Sequence, residues 1–307
     1  MKKNKIIIGV SGGPDSTYLL TKLHNNNRYE PIAVHVNYHL REESNEDQNS
    51  FVEFCKKRNI PYFIKDVNKE DWEKYAYLGN KQSKARQMRY DIFFHIADRF
   101  NTKEIFIAHH KDDFIETALM QEKRSKNLLF YGIKKLSKFS SYRIHRPLLD
   151  IYKSEIIEYL NNEKISFRVD KTNFLPIYER NKLRLELSKL SIAEKDAIFD
   201  RFQKINEKNH KLEDEIERKY NEWRRIQFDY DFFNRDNFEV KKQLIYKMLI
   251  LNEWRINITT DKLEGIIDFL KHKRGDKNYR LMENVFMTVE NSKIVIYKSK
   301  VENGNGK

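Results

Sequence analysis

Ile6-Ile7-Ile8-Gly9-Val10-Ser11-Gly12-Gly13-Pro14-Asp15-Ser16-Thr17-Tyr18-Leu19-Leu20 runs from an apolar stretch through a glycine-rich turn into a second apolar stretch. The order predicts a strand, a tight turn and a helix start, the junction at which a parallel sheet grips phosphate. Gly12 and Gly13 remove two Cβ atoms, so that backbone N–H groups can face an anion. Ser11 and Ser16 add hydroxyls, and the helix start adds the positive end of its dipole. Asp15 would repel a bare phosphate, so its presence points to a magnesium ion between that carboxylate and a polyphosphate, since the hard cation prefers oxygen ligands. The expected occupant is a nucleotide with its metal.

The spelling narrows the nucleotide chemistry. Gly-Lys-Ser and Gly-Lys-Thr are absent from the chain, which excludes a P-loop of the kinase and GTPase kind, and the loop lacks the G-x-G-x-x-G spacing of a dinucleotide fold. Ser-Gly-Gly-x-Asp-Ser resembles instead the pyrophosphate-binding loop (PP-loop) of the ATP pyrophosphatase superfamily. Its members split ATP into AMP and pyrophosphate while activating a carbonyl-type oxygen.

The 307 residues suffice for a nucleotide-binding domain and a smaller second one. Lys and Arg number 59 against 46 Asp and Glu, a formal net charge of +13, which suggests a polyanionic partner with nucleic acid the leading class. Cys55 is the only cysteine, which excludes a disulfide framework and a cysteine zinc cluster and fits a reducing compartment. Lys2, Lys3 and Lys5 imitate the start of a signal peptide, but the apolar run after them is too short and enters the phosphate loop. With no apolar run of membrane-spanning length, a soluble, cytoplasmic protein is expected.

Short apolar runs alternate with longer amphipathic stretches over the first half, the pattern of an α/β domain with a doubly wound, mostly parallel sheet. Strands are expected at Lys5–Val10, Pro31–Val36, Tyr62–Lys65, Glu104–Ala108 and Tyr142–His145, and helix starts near Asp15, Glu42, Lys84, Asp112 and Lys153. Right-handed crossovers would gather the carboxyl ends of the strands at one edge, where such sheets bind ligands. This catalytic domain is expected over 1–190. Residues 191–227 read as one long, highly charged helix that links two domains, with apolar positions such as Phe202, Ile216 and Trp223 recurring along it. A small α+β domain is expected over 228–300, with helices around Val240–Leu251 and Thr260–Lys271 and strands at Tyr279–Leu281, Val285–Val289 and Lys293–Tyr297; 301–307 reads as a frayed tail.

Three kinds of constellation follow the strands. His35, Asn37 and His39 alternate, so they share one wall if the second strand runs that far. Asp113 and Glu116, three apart after the fourth strand, share a face of the first helical turns, and two carboxylates on one face can hold a metal or an ammonium group; His109 stands just ahead of them. Basic pairs recur as Arg86 with Arg89 and Arg180 with Arg184, and a further basic cluster begins at Arg146. Each pair alone would be an ordinary solvated face, so their recurrence beside short polar motifs carries the argument.

In this order, SGGPDS at 11–16, HVNYHLR at 35–41, ARQMRY at 85–90, HHKDDFIET at 109–117, RPLL at 146–149 and DKTNFLPIYERNKLR at 170–184 resemble the tRNA(Ile)-lysidine synthase family. The resemblance implies a ligase that uses ATP and magnesium, acting on a tRNA(Ile) with a CAU anticodon and on L-lysine. Cytosine O2 attacks the α-phosphate, pyrophosphate leaves, and the lysine ε-amine then attacks C2 and releases AMP. Carried onto this chain, Ser11, Gly12, Gly13, Asp15 and Ser16 hold the pyrophosphate, with magnesium on Asp15 and with His35 and Asn37 on the nucleotide side. Asp113 and Glu116 receive the lysine, with His109 or Asp113 as its base. Arg89 is a further catalytic candidate, and Arg86, Arg180 and Arg184 contact phosphates or the adenylated base. The family also allows a homodimer. Many members carry two further C-terminal domains, whereas residues 191–307 leave room for one small domain, expected to grip the tRNA body. A thiouridine-forming relative, an NAD or GMP synthetase relative and a non-catalytic RNA-binding protein are the competing readings.

Overall fold

Ile6, Ile7 and Ile8 are completely buried in β1 (Asn4–Gly9), which a strand achieves only where both faces of its sheet are covered. The pleat divides them. Ile6 and Ile8 pack with α1 (Pro14–His24), α2 (Ser44–Lys57) and α6 (Lys153–Asn162), and Ile7 packs with α4 (Lys81–Arg99). The computed structural model describes residues 3–40, 43–78, 80–124, 128–168, 179–251, 258–272 and 278–299. Arg41, the 170–178 part of the last family-like segment and the tail expected at 301–307 lie outside the described residues.

β1 lies inside a six-stranded sheet of order β3-β2-β1-β4-β6-β5. β2 (Tyr29–Asn37), β3 (Tyr62–Asp66), β4 (Glu104–Phe106) and β6 (Tyr142–His145) continue it in parallel, and β5 (Leu136–Phe139) closes one edge antiparallel to β6. The architecture is the doubly wound, mostly parallel α/β sheet expected from the sequence. Strand order reverses between β1 and β4, so the crevice outside their carboxyl ends is where such a sheet takes a ligand. α3 (Lys69–Lys74), α5 (Lys111–Arg124) and α7 (Glu179–Leu187) complete the helices ahead of α8 (Ile192–Arg225).

The chain divides into two compact units, Met1–Met120 with Gly132–Phe202, and Gln121–Tyr131 with Gln203–Lys307. The second contains the later part of α8, the short α9 (Tyr230–Asn234), α10 (Phe238–Leu251) and α11 (Thr260–Lys271). Its sheet is an antiparallel meander of β7 (Tyr279–Met282), β8 (Val285–Glu290) and β9 (Lys293–Lys298). Its core centres on Trp223, stacked on Phe233 at 5.3 Å, with its indole N–H donated to the Asp229 carbonyl at 2.8 Å. Asn291 and Ser292 both take positive φ between Glu290 and Lys293, the geometry that matches a two-residue hairpin turn to strand twist. Among the described residues no helix is long and apolar enough to cross a membrane.

One close approach sets the floor of the crevice. A Cβ on Gly9 would stand 2.5 Å from Cζ of Phe93, a ring 2% exposed in the α4 cluster. Gly9→Ala is expected to cost about 1–3 kcal/mol through overpacking. A urea-unfolding midpoint equal to wild type would show that Phe93 yields without penalty.

Candidate active site

The turn at 11–16 joins β1 to α1 as the sequence predicts. Gly12 adopts φ +84°, a conformation that L side chains rarely take. Ser16 Oγ donates to the Gly13 carbonyl at 3.1 Å and accepts from Ser11 N at 3.1 Å, while Gly13 N donates to Ser11 Oγ at 3.4 Å. The serines therefore hold the shape of the turn. Gly13 is the N-cap of α1 and brings no capping side chain, so the helix start keeps its anion-binding character.

Asp15 stands in the first turn of α1. Its Oδ2 lies 3.1 Å from Lys153 Nζ and 3.8 Å from His110 Nε2, and its Oδ1 is buried with no hydrogen-bond partner among the described residues. Among those residues no three His, Cys, Asp or Glu side chains form a metal cage. One orphaned carboxylate oxygen beside an uncapped helix start fits magnesium, which takes one or two protein carboxylates and completes its shell with water and substrate phosphate.

A cavity of 440 Å³ opens beside the loop, large enough for a nucleotide. Gly9, Val34, Val36, Phe93 and Ile107 form its apolar surface, and Ser11, Asp15, Ser16, His35, Arg89, His109 and Asp113 also line it. His35 donates from Nδ1 to the Val10 carbonyl at 2.9 Å and stacks on Phe51; burial lowers its pKa. Asn37 lines the cavity, but its amide donates to Gln48 Oε1 at 2.9 Å and Asn45 Oδ1 at 3.2 Å, and its oxygen accepts from His39 N at 3.0 Å. It therefore fastens the strand end to α2. β2 ends at Asn37, and His39 turns away at φ +51° to pair with Asp66. Arg89 reaches the Tyr38 hydroxyl, and exposed Arg86 lies over the Tyr90 ring at 5.2 Å, outside the cavity lining.

Asp113 and Glu116 project together from α5, as the three-residue spacing requires. Glu116 is 1% exposed, and both its oxygens are engaged. Arg184 donates from Nε to Oε1 at 2.7 Å and from Nη2 to Oε2 at 3.0 Å, and Arg180 Nε donates to Oε2 at 2.7 Å. Arg180 Nη2 also donates to Asp113 Oδ1 at 3.0 Å. The two arginines thus meet the carboxylate pair itself. Burial alone would raise the Asp113 pKa, but His110, His109 and Arg180 outweigh it and hold the carboxyl below its ordinary range.

Several contributors escape a reading by spacing. His110, 3% exposed, has Nε2 3.4 Å from Asp113 Oδ2 and Nδ1 3.4 Å from Asp112 Oδ2. Burial would lower its pKa, yet Asp113, Asp112 and Asp15 together raise it. Its only sequence signal is its place in HHKDDFIET. Lys153, which meets Asp15, carries none. Arg146 is 5% exposed and donates from Nε to His109 Nδ1 at 3.2 Å. Arg168 donates its backbone N–H to the Gly12 carbonyl at 3.2 Å and pairs with Glu46 and Asp47.

Asp112 ties this cluster to α6 by accepting the Lys153 backbone N–H at 3.0 Å, with Lys195 Nζ 3.3 Å from its other oxygen. Burial alone would raise its pKa, but His110, that N–H and Lys195 hold it well below the carboxylate range. A carboxylate with a depressed folded pKa contributes stability that is present above its unfolded value, about 4, and lost as the pH falls further. Asp112→Asn is expected to be less stable at neutral pH and to show a shallower loss of stability on acidification below about pH 4. Urea titrations at stepped pH test this, and parallel acid limbs would refute it.

Residues 1–191 match the family described as the PP-loop domain. A tRNA(Ile)-lysidine synthase of Malacoplasma penetrans is 38% identical over 296 residues, covering 95% of this chain and 98% of its own length. That of Ureaplasma parvum is 36% identical over 296 residues, 96% of this chain and 88% of its own length. That of Mycoplasma genitalium is 36% identical over 299 residues, 97% and 99% of the two chains. Among solved structures, the U34-tRNA thiolase NcsA of Methanococcus maripaludis with its 4Fe-4S cluster aligns at a TM-score of 0.52 and 21% identity, over 67% of this chain and 74% of that one, a likeness of fold. With its PP-loop domain at 1–191 and relatives matched over nearly its whole length, the chain belongs to the tRNA(Ile)-lysidine synthase family.

Proposed function

We propose that this protein is a ligase that converts the wobble cytidine of a tRNA(Ile) with a CAU anticodon to lysidine. In the first step cytosine O2 attacks the α-phosphate of ATP and pyrophosphate leaves. In the second the ε-amine of L-lysine attacks C2, the C2–O2 bond breaks and AMP departs with the oxygen. One observation carries this reading. His110 Nε2 lies 3.8 Å from Asp15 Oδ2 and 3.4 Å from Asp113 Oδ2, so the phosphate loop and the carboxylate pair are separated by a single side chain. That closeness lets a bound polyphosphate and a bound amine act in turn on one substrate base.

The loop amides and the start of α1 bind the pyrophosphate as it leaves, and the apolar surface from Val34, Val36 and Phe93 takes the adenine. Magnesium held at Asp15 would neutralise charge on the phosphates. The incoming ammonium takes oxygens of Asp113 and Glu116 from a guanidinium, an exchange of one cation for another that never leaves the carboxylates bare. Those carboxylates favour the ammonium form and oppose loss of its proton, so desolvation in the closed site must lower the amine pKa before Asp113 accepts the proton. Lys and Arg side chains of residues 191–300 meet the phosphates of the tRNA body. A homodimer and a cytoplasmic location accompany this reading on family resemblance alone.

A sulfur-transfer reading lacks a usable thiol. Cys55 is completely buried in the core, and burial pushes its pKa up to about 12.

Incorporation of labelled lysine into a CAU transcript with ATP and magnesium, beside a transcript with uridine at the wobble position, tests the function. Lysine is expected only in the cytidine transcript, with AMP and pyrophosphate formed; pyrophosphate without lysine would mean another nucleophile. In single-turnover assays Asp113→Ala and Glu116→Ala are expected to slow lysine transfer by about a hundredfold more than adenylation. Equal loss of the two steps would remove the lysine-binding role.

A further inference from the structure

We infer that Arg146 is a positioning residue that locks His109 in the tautomer with its proton on Nε2, so that His109 offers the cleft a hydrogen-bond donor and not a base. The inference deepens the reading above and rests on it for the identity of the substrate. A guanidinium has five N–H groups and no acceptor, and it stays protonated throughout the range in which proteins are folded. Arg146 Nε lies 3.2 Å from His109 Nδ1, so Nδ1 must present its lone pair. A neutral imidazole has one proton, and that proton then sits on Nε2.

Arg146 cannot easily turn away to relieve the alternative. Its Nη1 donates to the Lys134 carbonyl at 2.8 Å and to Ser137 Oγ at 2.8 Å, its guanidinium meets Tyr90, and its own backbone N–H is bound to the Lys135 carbonyl at 2.9 Å. An imidazolium would bring an N–H at Nδ1 against this fixed N–H of arginine. The charged groups around His109 act in the same direction. Burial lowers its pKa, Asp113 raises it, and Arg146, Arg86 and Arg180 lower it further, leaving the ring neutral at physiological pH. His109 lines the cavity, and with Nδ1 engaged the Nε2 edge remains to face it.

The consequence is a division of labour. A neutral Nε2–H can donate to a substrate oxygen, whether on the α-phosphate or on the adenylated cytosine, but it has no lone pair left to take the lysine proton. That proton falls to Asp113.

The full-length protein labelled with ¹⁵N-histidine tests the lock directly, with the His109 signals assigned by their loss in His109→Gln. Wild type is expected to show a bare Nδ1 and a protonated Nε2 from pH 6 to 8. A proton on Nδ1, or a cationic ring at pH 7, would overturn the inference whatever the activity. Arg146→Met should mix the tautomers, and Arg146→Lys, which keeps a charged donor, should restore the wild-type pattern at least in part; an unchanged pattern in a folded Arg146→Met would remove Arg146 from the argument. In single-turnover lysine transfer, His109→Gln keeps an N–H at the reach of Nε2 and has no base. It is expected to lose at least about tenfold less than His109→Leu, and equal losses would restore the base role. Failure of wild type to incorporate lysine would refute the function while leaving the NMR result standing.

Discussion

Burial of β1 on both faces is the constraint from which the rest follows. With Ile6, Ile7 and Ile8 sealed between helical layers, the middle of the strand has no place for a polar side chain, and chemistry is confined to its carboxyl end. There the chain must reverse into α1 within a few residues, past Phe93 on one side and Asp47 on the other. Only glycine tolerates both the approach at Gly9 and the positive φ at Gly12. The anion-binding turn is therefore a product of how the strand is packed as much as of the residues that compose it.

What the sequence exposes is whatever depends on neighbours along the chain. The isoleucine run, the loop and the three-residue spacing of Asp113 and Glu116 are local patterns, and each appears in the structure where periodicity puts it. β5 is different. Leu136-Ser137-Lys138-Phe139 has little strand character and exists because β6 offers an edge to pair with. The same distinction holds in the site. Alternation puts Asn37 on one wall with His35, and it lines the cavity, but its amide is engaged by Asn45 and Gln48, partners supplied by the fold of α2. Arg180 and Arg184 are expected at phosphates or the adenylated base, and in this structure they grip the carboxylates of α5. No spacing rule could predict a pairing across more than sixty residues of chain.

His110 is the point at which the two halves of the site share a charge. It faces Asp15, Asp112 and Asp113 at once, and each of these has a second cationic partner in Lys153, Lys195 or Arg180. Carboxylates this close would repel one another and push their own pKa values up if left unpaired. Interleaved cations keep them ionised. A charge brought to one end therefore changes the field at the other without any movement of the backbone.

That arrangement also explains why a site for a cation can be filled with arginine. A buried carboxylate pair without a counter-ion is costly, and a protein that must wait for its substrate needs a cation in the interim. The guanidinium groups of α7 serve, being partly exposed and so able to leave for solvent or phosphate. On the proposed function, a lysine ammonium that displaces one would find ionised oxygens already in place. The exchange is nearly balanced in charge, so its selectivity must come from shape and from the aliphatic stem of the incoming side chain. On the proposed function, affinity for the amine would depend on how readily α7 gives up its grip, and so on the strength of the Arg184–Glu116 contact.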